Sequence, residues 1–315
     1  MRILVTGGLG AIGRSLVPEL RRRDHDVVSC DLAHQPDEIG FGLTADISTP
    51  RYARCDVGEF RQVERVFDRL GPFDLVYHCA AEFGRANGED FYEILWRTNV
   101  IGTKNVLRLQ EQRKFRLVHF SSSEVYGDWP GPMSEAVMDE NGIRQLNDYA
   151  MTKWVNEMQV RNAALQTGTE SVVVRLFNTY GPGEYYSPYR SAVSRFIYCA
   201  LHGIPWTVFR GHTRSSAFVA DTVRTLGNLA EKFRPGEVYN IGGRQLHSME
   251  ELSDIVLRTT GADAGLVRLA DSQPMTTQHK RVDLSKAEHD LGHRNTVDLE
   301  EGIRLTAEWM RGVYR

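Results

Sequence analysis

Tyr149 and Lys153 stand four positions apart in Tyr149-Ala150-Met151-Thr152-Lys153, which places phenol and ammonium on one face if the segment is helical. A cation beside a phenol favours the phenolate, and a positively charged ring nearby favours it further, so the pair can take a proton from a hydroxyl group. A half-buried Tyr and a solvated Lys on any amphipathic helix share that spacing. Upstream, residues 116–120 read as a strand that runs into Ser121-Ser122-Ser123-Glu124-Val125-Tyr126-Gly127. That run puts three hydroxyls and a carboxylate at the carboxyl end of a strand, where α/β sheets bind their ligands. A carboxylate at Glu124, next to a transient ketone, could remove the acidified hydrogen of the neighbouring carbon.

A ketone requires an oxidant, and the amino terminus supplies a place for one. Thr6-Gly7-Gly8-Leu9-Gly10-Ala11-Ile12-Gly13 follows an apolar run and opens a helical pattern. Gly7 suits a tight turn, Gly10 a close approach of backbone to pyrophosphate, and Gly13 close packing of helix on strand, with the helix N-terminus facing the anion. The next apolar run, 26–31, ends in Asp31, whose carboxylate can accept the adenosine ribose hydroxyls. A 2′-phosphate there would meet like charge with no Arg immediately following, so the pattern favours NAD over NADP.

These residues need a frame, and the apolar pattern outlines it. Strand-like runs at 2–6, 26–31, 52–55, 73–79, 115–121 and 171–176 alternate with helical patterns at 11–23, 59–70, 89–112 and 147–166. Alternation of this kind predicts an α/β fold, a Rossmann-type doubly wound parallel sheet with right-handed crossovers. After Gly181-Pro182-Gly183 the pattern loosens, with helical segments near 193–203, 219–232, 248–260 and 298–311. Residues 1–180 then form the dinucleotide-binding domain with the catalytic residues. Residues 181–315 form a smaller, mainly substrate-binding α/β part, and the chain is free to cross between the two. The 315 residues suffice for either one large domain or two unequal ones.

Composition narrows the function classes. A formal net charge of −3 and a pI near 6.4 give no global signal for nucleic acid or membrane, and Arg21-Arg22-Arg23 reads as a solvated helix end. No secretory or membrane-spanning segment is legible, so a cytoplasmic location is expected. Cys30, Cys55, Cys79 and Cys199 lack paired metal-ligand spacing and read as free thiols. His289 and His293 have helical spacing, but Gly292 intervenes and no nearby acid completes a metal set; they read as a surface helix end, and no metal is expected.

Taken in order, the Gly loop, Asp31, Cys55-Asp56-Val57, His78-Cys79-Ala80-Ala81, Asn99-Val100-Ile101-Gly102-Thr103, the Ser-rich strand end, Tyr149/Lys153 and Arg175-Leu176-Phe177-Asn178-Thr179-Tyr180-Gly181-Pro182-Gly183 resemble the extended short-chain dehydrogenase/reductase family. The resemblance is to its nucleotide-sugar epimerases and dehydratases and covers nearly the whole chain. It implies that Asp56 and Val57 contact adenine, that Ala80 and Ala81 line the cofactor channel, and that Asn99 joins the cofactor set with Gly7, Gly10, Ala11, Ile12, Gly13 and Asp31. Ser122 would hydrogen-bond the sugar oxygen being oxidised, and Tyr149 and Lys153 would serve both cofactor and chemistry. Asn178 would touch substrate near its diphosphate.

Within that group, 4,6-dehydratases carry Thr-Asp-Glu at this strand end, the Glu taking the proton from sugar carbon 5 and the Asp helping the carbon 6 hydroxyl leave. Here Ser122-Ser123-Glu124 substitutes Ser123 for the acid, which leaves Glu124, Tyr149 or water to protonate the leaving group. UDP-glucuronate decarboxylases also show Ser-Glu at this point. As a whole the chain is most similar to the UDP-N-acetylglucosamine 5,6-dehydratase type of tunicamycin biosynthesis, which would return hydride to carbon 4 and leave a 5,6-ene. The alternatives are a 4,6-dehydratase, a 4-epimerase, a decarboxylase or, in another class, a noncatalytic NAD-binding regulator.

Later segments bear on substrate. Arg214-Ser215 stands where an Arg-Asp pair is usual, and Arg214 fits a diphosphate partner. Near Lys280-Arg281-Val282-Asp283-Leu284-Ser285-Lys286-Ala287 the family's upstream Arg-x-x-Asp spacing is absent, so His279, Lys280 or Arg281 would supply that contact, with Arg281 taken as the substrate residue. Glu184-Tyr185-Tyr186-Ser187-Pro188-Tyr189 suits either stacking on a nucleobase or packing of domain on domain. The resemblance further implies a homodimer paired through the helices near 89–112 and 147–166.

Overall fold

The computed structural model describes residues 1–34, 51–271 and 275–314. Six strands, β1 (Arg2–Thr6), β2 (Asp26–Asp31), β3 (Tyr52–Arg54), β4 (Leu75–His78), β5 (Arg116–Ser122) and β6 (Ser171–Leu176), follow the predicted runs closely. With a seventh, Val238–Ile241, they form one sheet in the order Val238–Ile241, β6, β5, β4, β1, β2, β3. Every pairing in it is parallel. Parallel strands are buried on both faces, and the sequence reflects this in near-continuous apolar runs. In β1, Ile3 and Val5 enter the core under the helices Gly13–Arg22 and Val219–Glu231, whereas Leu4 enters the core under Phe60–Leu70, Gly102–Arg113 and Asp148–Thr167. The period of two along the strand thus divides one segment between two layers.

The order of strands reverses between β1 and β4, and a crevice opens at the carboxyl ends of neighbours whose crossovers leave in opposite directions. The Gly loop after β1 and Cys79-Ala80-Ala81 after β4 flank it. Beside it the predicted helix 89–112 is broken into Arg85–Asp90, Tyr92–Trp96, a wider π-helical turn Arg97–Ile101, and Gly102–Arg113. A π turn inserts a residue without ending the helix. Here it carries Asn99, which is buried and bonded to the loop after β4.

Beyond residue 180 the chain crosses back and forth. Val238–Ile241 joins the main sheet against β6, and Tyr77 donates its hydroxyl hydrogen to the Leu226 carbonyl at 2.7 Å. The remaining segments build a third core, including Tyr180, Phe196, Trp206, Leu252 and Ile303, between the helices Ala192–Leu201, Met249–Thr260 and Leu299–Val313. Two short pairs complete it, Trp206–Phe209 with Val267–Ala270 and Thr213–Ser215 with Leu246–Ser248. This part touches the strand-end loops of the first through Tyr189 to Asp90 (2.9 Å), Asn147 to the Met275 carbonyl (3.2 Å) and Lys280 to Ser123. Among the described residues no helix is long and apolar enough to cross a membrane.

One of the two paired histidines differs from expectation. His293 is buried, its ring bridging Thr225 Oγ1 and the Gly242 carbonyl at 2.8 Å each, so it ties the C-terminal segment to the sheet; His289 is the exposed member. Cys30, Cys55 and Cys199 are buried free thiols and Cys79 is half-buried.

Candidate active site

The loop after β1 is shaped by contacts that leave no room for side chains. Gly7 has φ +70°, in the left-handed region, and a Cβ there would lie 2.7 Å from the Ala80 nitrogen. A Cβ on Gly13 would lie 2.2 Å from the Gly7 carbonyl oxygen, so helix and turn close only with glycine at that position. A Cβ on Gly10 would meet only that same carbonyl, at 3.2 Å, which leaves its outer side open to a ligand. The first helical bond runs from Arg14 N to the Gly10 carbonyl, and no acid occupies the helix's first turn, so the amides of Ala11, Ile12 and Gly13 precede the ladder and suit an anion. Asp31 secures the turn, one carboxylate oxygen accepting Leu9 N at 2.9 Å and the other Ala33 N at 3.2 Å, and its oxygens keep lone pairs for hydroxyl donors. These features fit a dinucleotide with a free ribose 2′-hydroxyl.

The remaining residues of the expected cofactor set surround that crevice, each with a structural task. Asp56 accepts Gly58 N at 2.9 Å and the Arg97 guanidinium at 3.0 Å, while Val57 is buried and its carbonyl accepts the Asn105 amide at 2.8 Å. Ala80 donates its N–H to Thr6 Oγ1 at 3.2 Å, and Ala80 and Ala81 are both partly exposed at the end of β4. The Asn99 amide accepts from Glu82 N at 2.9 Å and donates to the Glu82 carbonyl at 3.0 Å and to Thr152 Oγ1 at 3.1 Å. Asn99 therefore fastens the loop after β4 to the helix that carries Tyr149.

That helix, Asp148–Thr167, begins at Asn147, whose Oδ1 accepts Ala150 N at 2.8 Å. Tyr149 hydrogen-bonds Ser122, and Ser122 Oγ in turn accepts Glu124 N at 3.2 Å, capping the short turn that follows β5. Lys153 is buried, donates to the Phe120 carbonyl at 2.8 Å, and stands 5.8 Å from the Tyr149 ring centre. Burial pushes the Tyr149 phenol up to about 12, opposed by the Ser122 hydrogen bond and assisted by the Glu124 charge. The lowering expected from Lys153 does not prevail over burial. Burial also lowers Lys153 to about 8, with Cys79 and Glu157 resisting.

Burial alone would raise the Glu124 carboxyl, but Lys280, Arg214 and a hydrogen bond to Asn147 outweigh it and hold the group below its ordinary value. Glu124 is thus a charged base enclosed by cations. Lys280, only 2 % exposed, contacts the Glu124 carboxylate directly and donates to Ser123 Oγ at 3.3 Å. Of the three candidates His279, Lys280 and Arg281, it is Lys280 that enters the site; Arg281 and His279 are exposed, and the Arg281 carbonyl accepts Met133 N at 2.8 Å. Asn147 is a site residue that sequence reading missed. Its N-cap character before an amphipathic run is legible, but its bond to Glu124 is a tertiary contact.

Next to this cluster lies an open pocket lined among others by Asn178, Arg195, Phe209, Arg214, Ser216 and His247. Arg214 spends Nη1 on the carbonyls of Thr213 (2.8 Å) and Gln278 (2.9 Å), which fixes the guanidinium near Glu124. Asn178 has φ +40°, and its buried side-chain oxygen has no hydrogen-bond partner among the described residues. Tyr185 and Tyr186 pack on aromatic neighbours: Tyr185 lies edge-on to Trp309 at 5.3 Å, and Tyr186 stacks on Tyr198 at 3.7 Å. Both contacts lie within the second part of the chain, and Tyr185 also meets the first part, where Arg14 stands over its ring at 4.9 Å. Behind the site, Arg175 forms a buried two-pronged pair with Glu157 (3.0 and 2.8 Å), and Ser121 donates to the same carboxylate at 2.5 Å, bracing β5 and β6 against the helix that carries Tyr149.

Comparison with known proteins agrees with this geometry. Residues 3–242 match the model of the NAD dependent epimerase/dehydratase family. The chain is 34 % identical to UDP-glucuronic acid decarboxylase 6 of Arabidopsis thaliana, covering 99 % of this chain and 89 % of that one. It is 29 % identical to the dTDP-glucose 4,6-dehydratase of Neisseria meningitidis serogroup B, covering 98 % and 92 %. Among solved structures, the UDP-glucose 4-epimerase of Thermus thermophilus in complex with NAD superposes with a TM-score of 0.86 at 27 % identity, over 99 % of each chain. The parallel sheet with its glycine-shaped turn, the Ser122, Tyr149 and Lys153 cluster and the family match over most of the chain make this protein a member of the NAD dependent epimerase/dehydratase family, an enzyme with NAD as its cofactor.

Proposed function

We propose that the enzyme is a nucleotide-sugar dehydratase, and specifically that it converts UDP-N-acetylglucosamine to a 5,6-ene exo-glycal, the step known from tunicamycin biosynthesis. The observation that carries this reading is Glu124, a carboxylate kept charged at the strand end within the Tyr149 and Ser122 cluster, with a hydroxyl, Ser123, in place of a second acid. Bound NAD would take up the carbon 4 hydride and give it back, and its ring charge would favour the Tyr149 phenolate.

The chain's residues do the rest. Ser122 orients the carbon 4 hydroxyl, Tyr149 takes its proton and Lys153 stabilises the phenolate. With carbon 4 at the ketone level, the carbon 5 hydrogen is acidified and Glu124 removes it, while the carbon 6 hydroxyl departs. Tyr149 then returns its proton to the carbon 4 oxygen. Gly7, Gly10, Ala11, Ile12, Gly13 and Asp31 would hold the dinucleotide, with Asp56, Val57, Ala80, Ala81 and Asn99 around it. Arg214 and Asn178 would face the substrate diphosphate, since a fixed guanidinium and an amide side by side suit phosphate oxygens. Exposed apolar residues recur a heptad apart on Asp148–Thr167, Met151, Met158 and Leu165, beside the exposed Ile94 and Ile101 of the adjoining segments, and this patch supports pairing of two copies.

The test incubates the NAD-loaded enzyme with UDP-N-acetylglucosamine in deuterated water. Loss of one water by mass and exocyclic alkene signals by NMR are expected; an unchanged mass points to epimerisation and removes the reading. A second reading, a UDP-uronate decarboxylase, is favoured by the 34 % identical relative and by the two cations, Lys280 and Arg214, beside Glu124. Loss of carbon dioxide from UDP-glucuronate by the same enzyme would select it.

A further inference from the structure

Resting on the dehydratase reading, we propose that Lys280 is the acid that protonates the departing carbon 6 hydroxyl and that it is reset by direct proton transfer from Glu124. Hydroxide is a poor leaving group and needs a proton as the carbon–oxygen bond breaks. The site offers few protons for that purpose. Tyr149 is occupied at the carbon 4 oxygen, Glu124 starts as its conjugate base and gains a proton only from carbon 5, and the alcohols Ser122 and Ser123 are too weakly acidic to act alone. A guanidinium such as Arg214 does not release its proton. Lys153 spends its ammonium on the Phe120 carbonyl, 5.8 Å from the Tyr149 ring centre.

Lys280 has none of these handicaps. It is buried against the base itself and against Ser123, the residue that replaces the acid of the 4,6-dehydratase pattern, whose hydroxyl oxygen lies 3.3 Å from Nζ. Burial and the neighbouring Arg214 charge weaken its hold on the proton, while Glu124 keeps it in the ammonium form at rest.

The step balances. Glu124 takes the carbon 5 hydrogen as a proton, and the electron pair of that bond becomes the second bond between carbons 5 and 6. The carbon 6–oxygen pair leaves on oxygen, which accepts a proton from Lys280 and departs as water. Glu124 then carries one proton too many and Lys280 one too few, and transfer across their contact restores both.

The experiment compares wild type, Lys280→Arg and Lys280→Met, all NAD-loaded, on UDP-N-acetylglucosamine and on its 6-deoxy-6-fluoro analogue. Fluoride departs without full protonation, and both substrates yield the same alkene. Lys280→Arg keeps the charge next to Glu124 but cannot act as an acid. Both variants are expected to lose about 100-fold or more in alkene formation from the hydroxyl substrate. On the fluoro substrate, read as released fluoride, they should stay within about 10-fold of wild type. An equal deficit on both substrates would make Lys280 a holder of Glu124 and overturn the inference, as would an Arg variant with wild-type rate on the hydroxyl substrate. No alkene from either substrate with wild type would sink the dehydratase reading itself, and the inference with it.

Discussion

Glu124 shows how the surroundings of one side chain set its charge. Its carboxylate is enclosed, yet three partners keep it ionised, which is the state a carbon base requires. Glu124→Gln keeps the shape and removes the basicity. Alkene formation should fall about 100-fold or more while the cofactor's nicotinamide absorbance still changes on adding sugar; unchanged turnover would remove the assignment. Lys153 provides a second test, on stability. Its folded value of about 8 lies below the ordinary 10.5, so between these the unfolded chain binds the extra proton and stability rises with pH through that window. Below pH 8 the buried ammonium opposes folding by about 3 kcal/mol. Lys153→Met should therefore gain stability relative to wild type at pH 7, and the difference should shrink as the pH approaches 10 in denaturant titrations.

At the scale of elements, the turn from β1 into the helix Gly13–Arg22 is a joint closed on backbone. Gly13→Ala places a methyl group 2.2 Å from a carbonyl oxygen, and backbone cannot yield as a flexible side chain would. We expect a loss of about 1–3 kcal/mol in stability and weaker NAD binding by titration; a variant with wild-type affinity would show that the loop tolerates a wider turn. The strands and most helices were legible because each has one apolar period throughout. The break in residues 89–112 was not, since its apolar spacing continues through the π turn at Arg97–Ile101 and only the buried bonds of Asn99 to Glu82 and Thr152 demand it.

At the scale of the whole molecule, a long helix buries one side and presents another. Met151, Met158 and Leu165 lie exposed along Asp148–Thr167, with Leu165 at 79 %, beside Ile94 and Ile101 on the adjoining segments. An apolar patch of this length suits a second copy of itself. Ile101→Glu combined with Met158→Glu should convert a dimer to a monomer by light scattering while leaving the monomer folded by circular dichroism. A wild-type mass that stays monomeric at all concentrations would reject the pairing.

The glycine turn, Asp31, the Ser122-to-Glu124 strand end and the Tyr149/Lys153 pair could all be read along the chain, because backbone sterics and helical or strand periodicity act over a few residues and leave their mark in local spacing. Which cation would meet Glu124 could not. Lys280 lies 156 positions away, flanked by His279 and Arg281 with similar credentials, and Asn147 is bonded to Glu124 through space. The chain returns to the strand-end loops from the second part of the fold, and that packing buries Lys280 while leaving its neighbours in solvent. The environment that keeps the Tyr149 phenol protonated and the Glu124 carboxyl ionised comes from the same closure, since burial and charge proximity are properties of the assembled molecule.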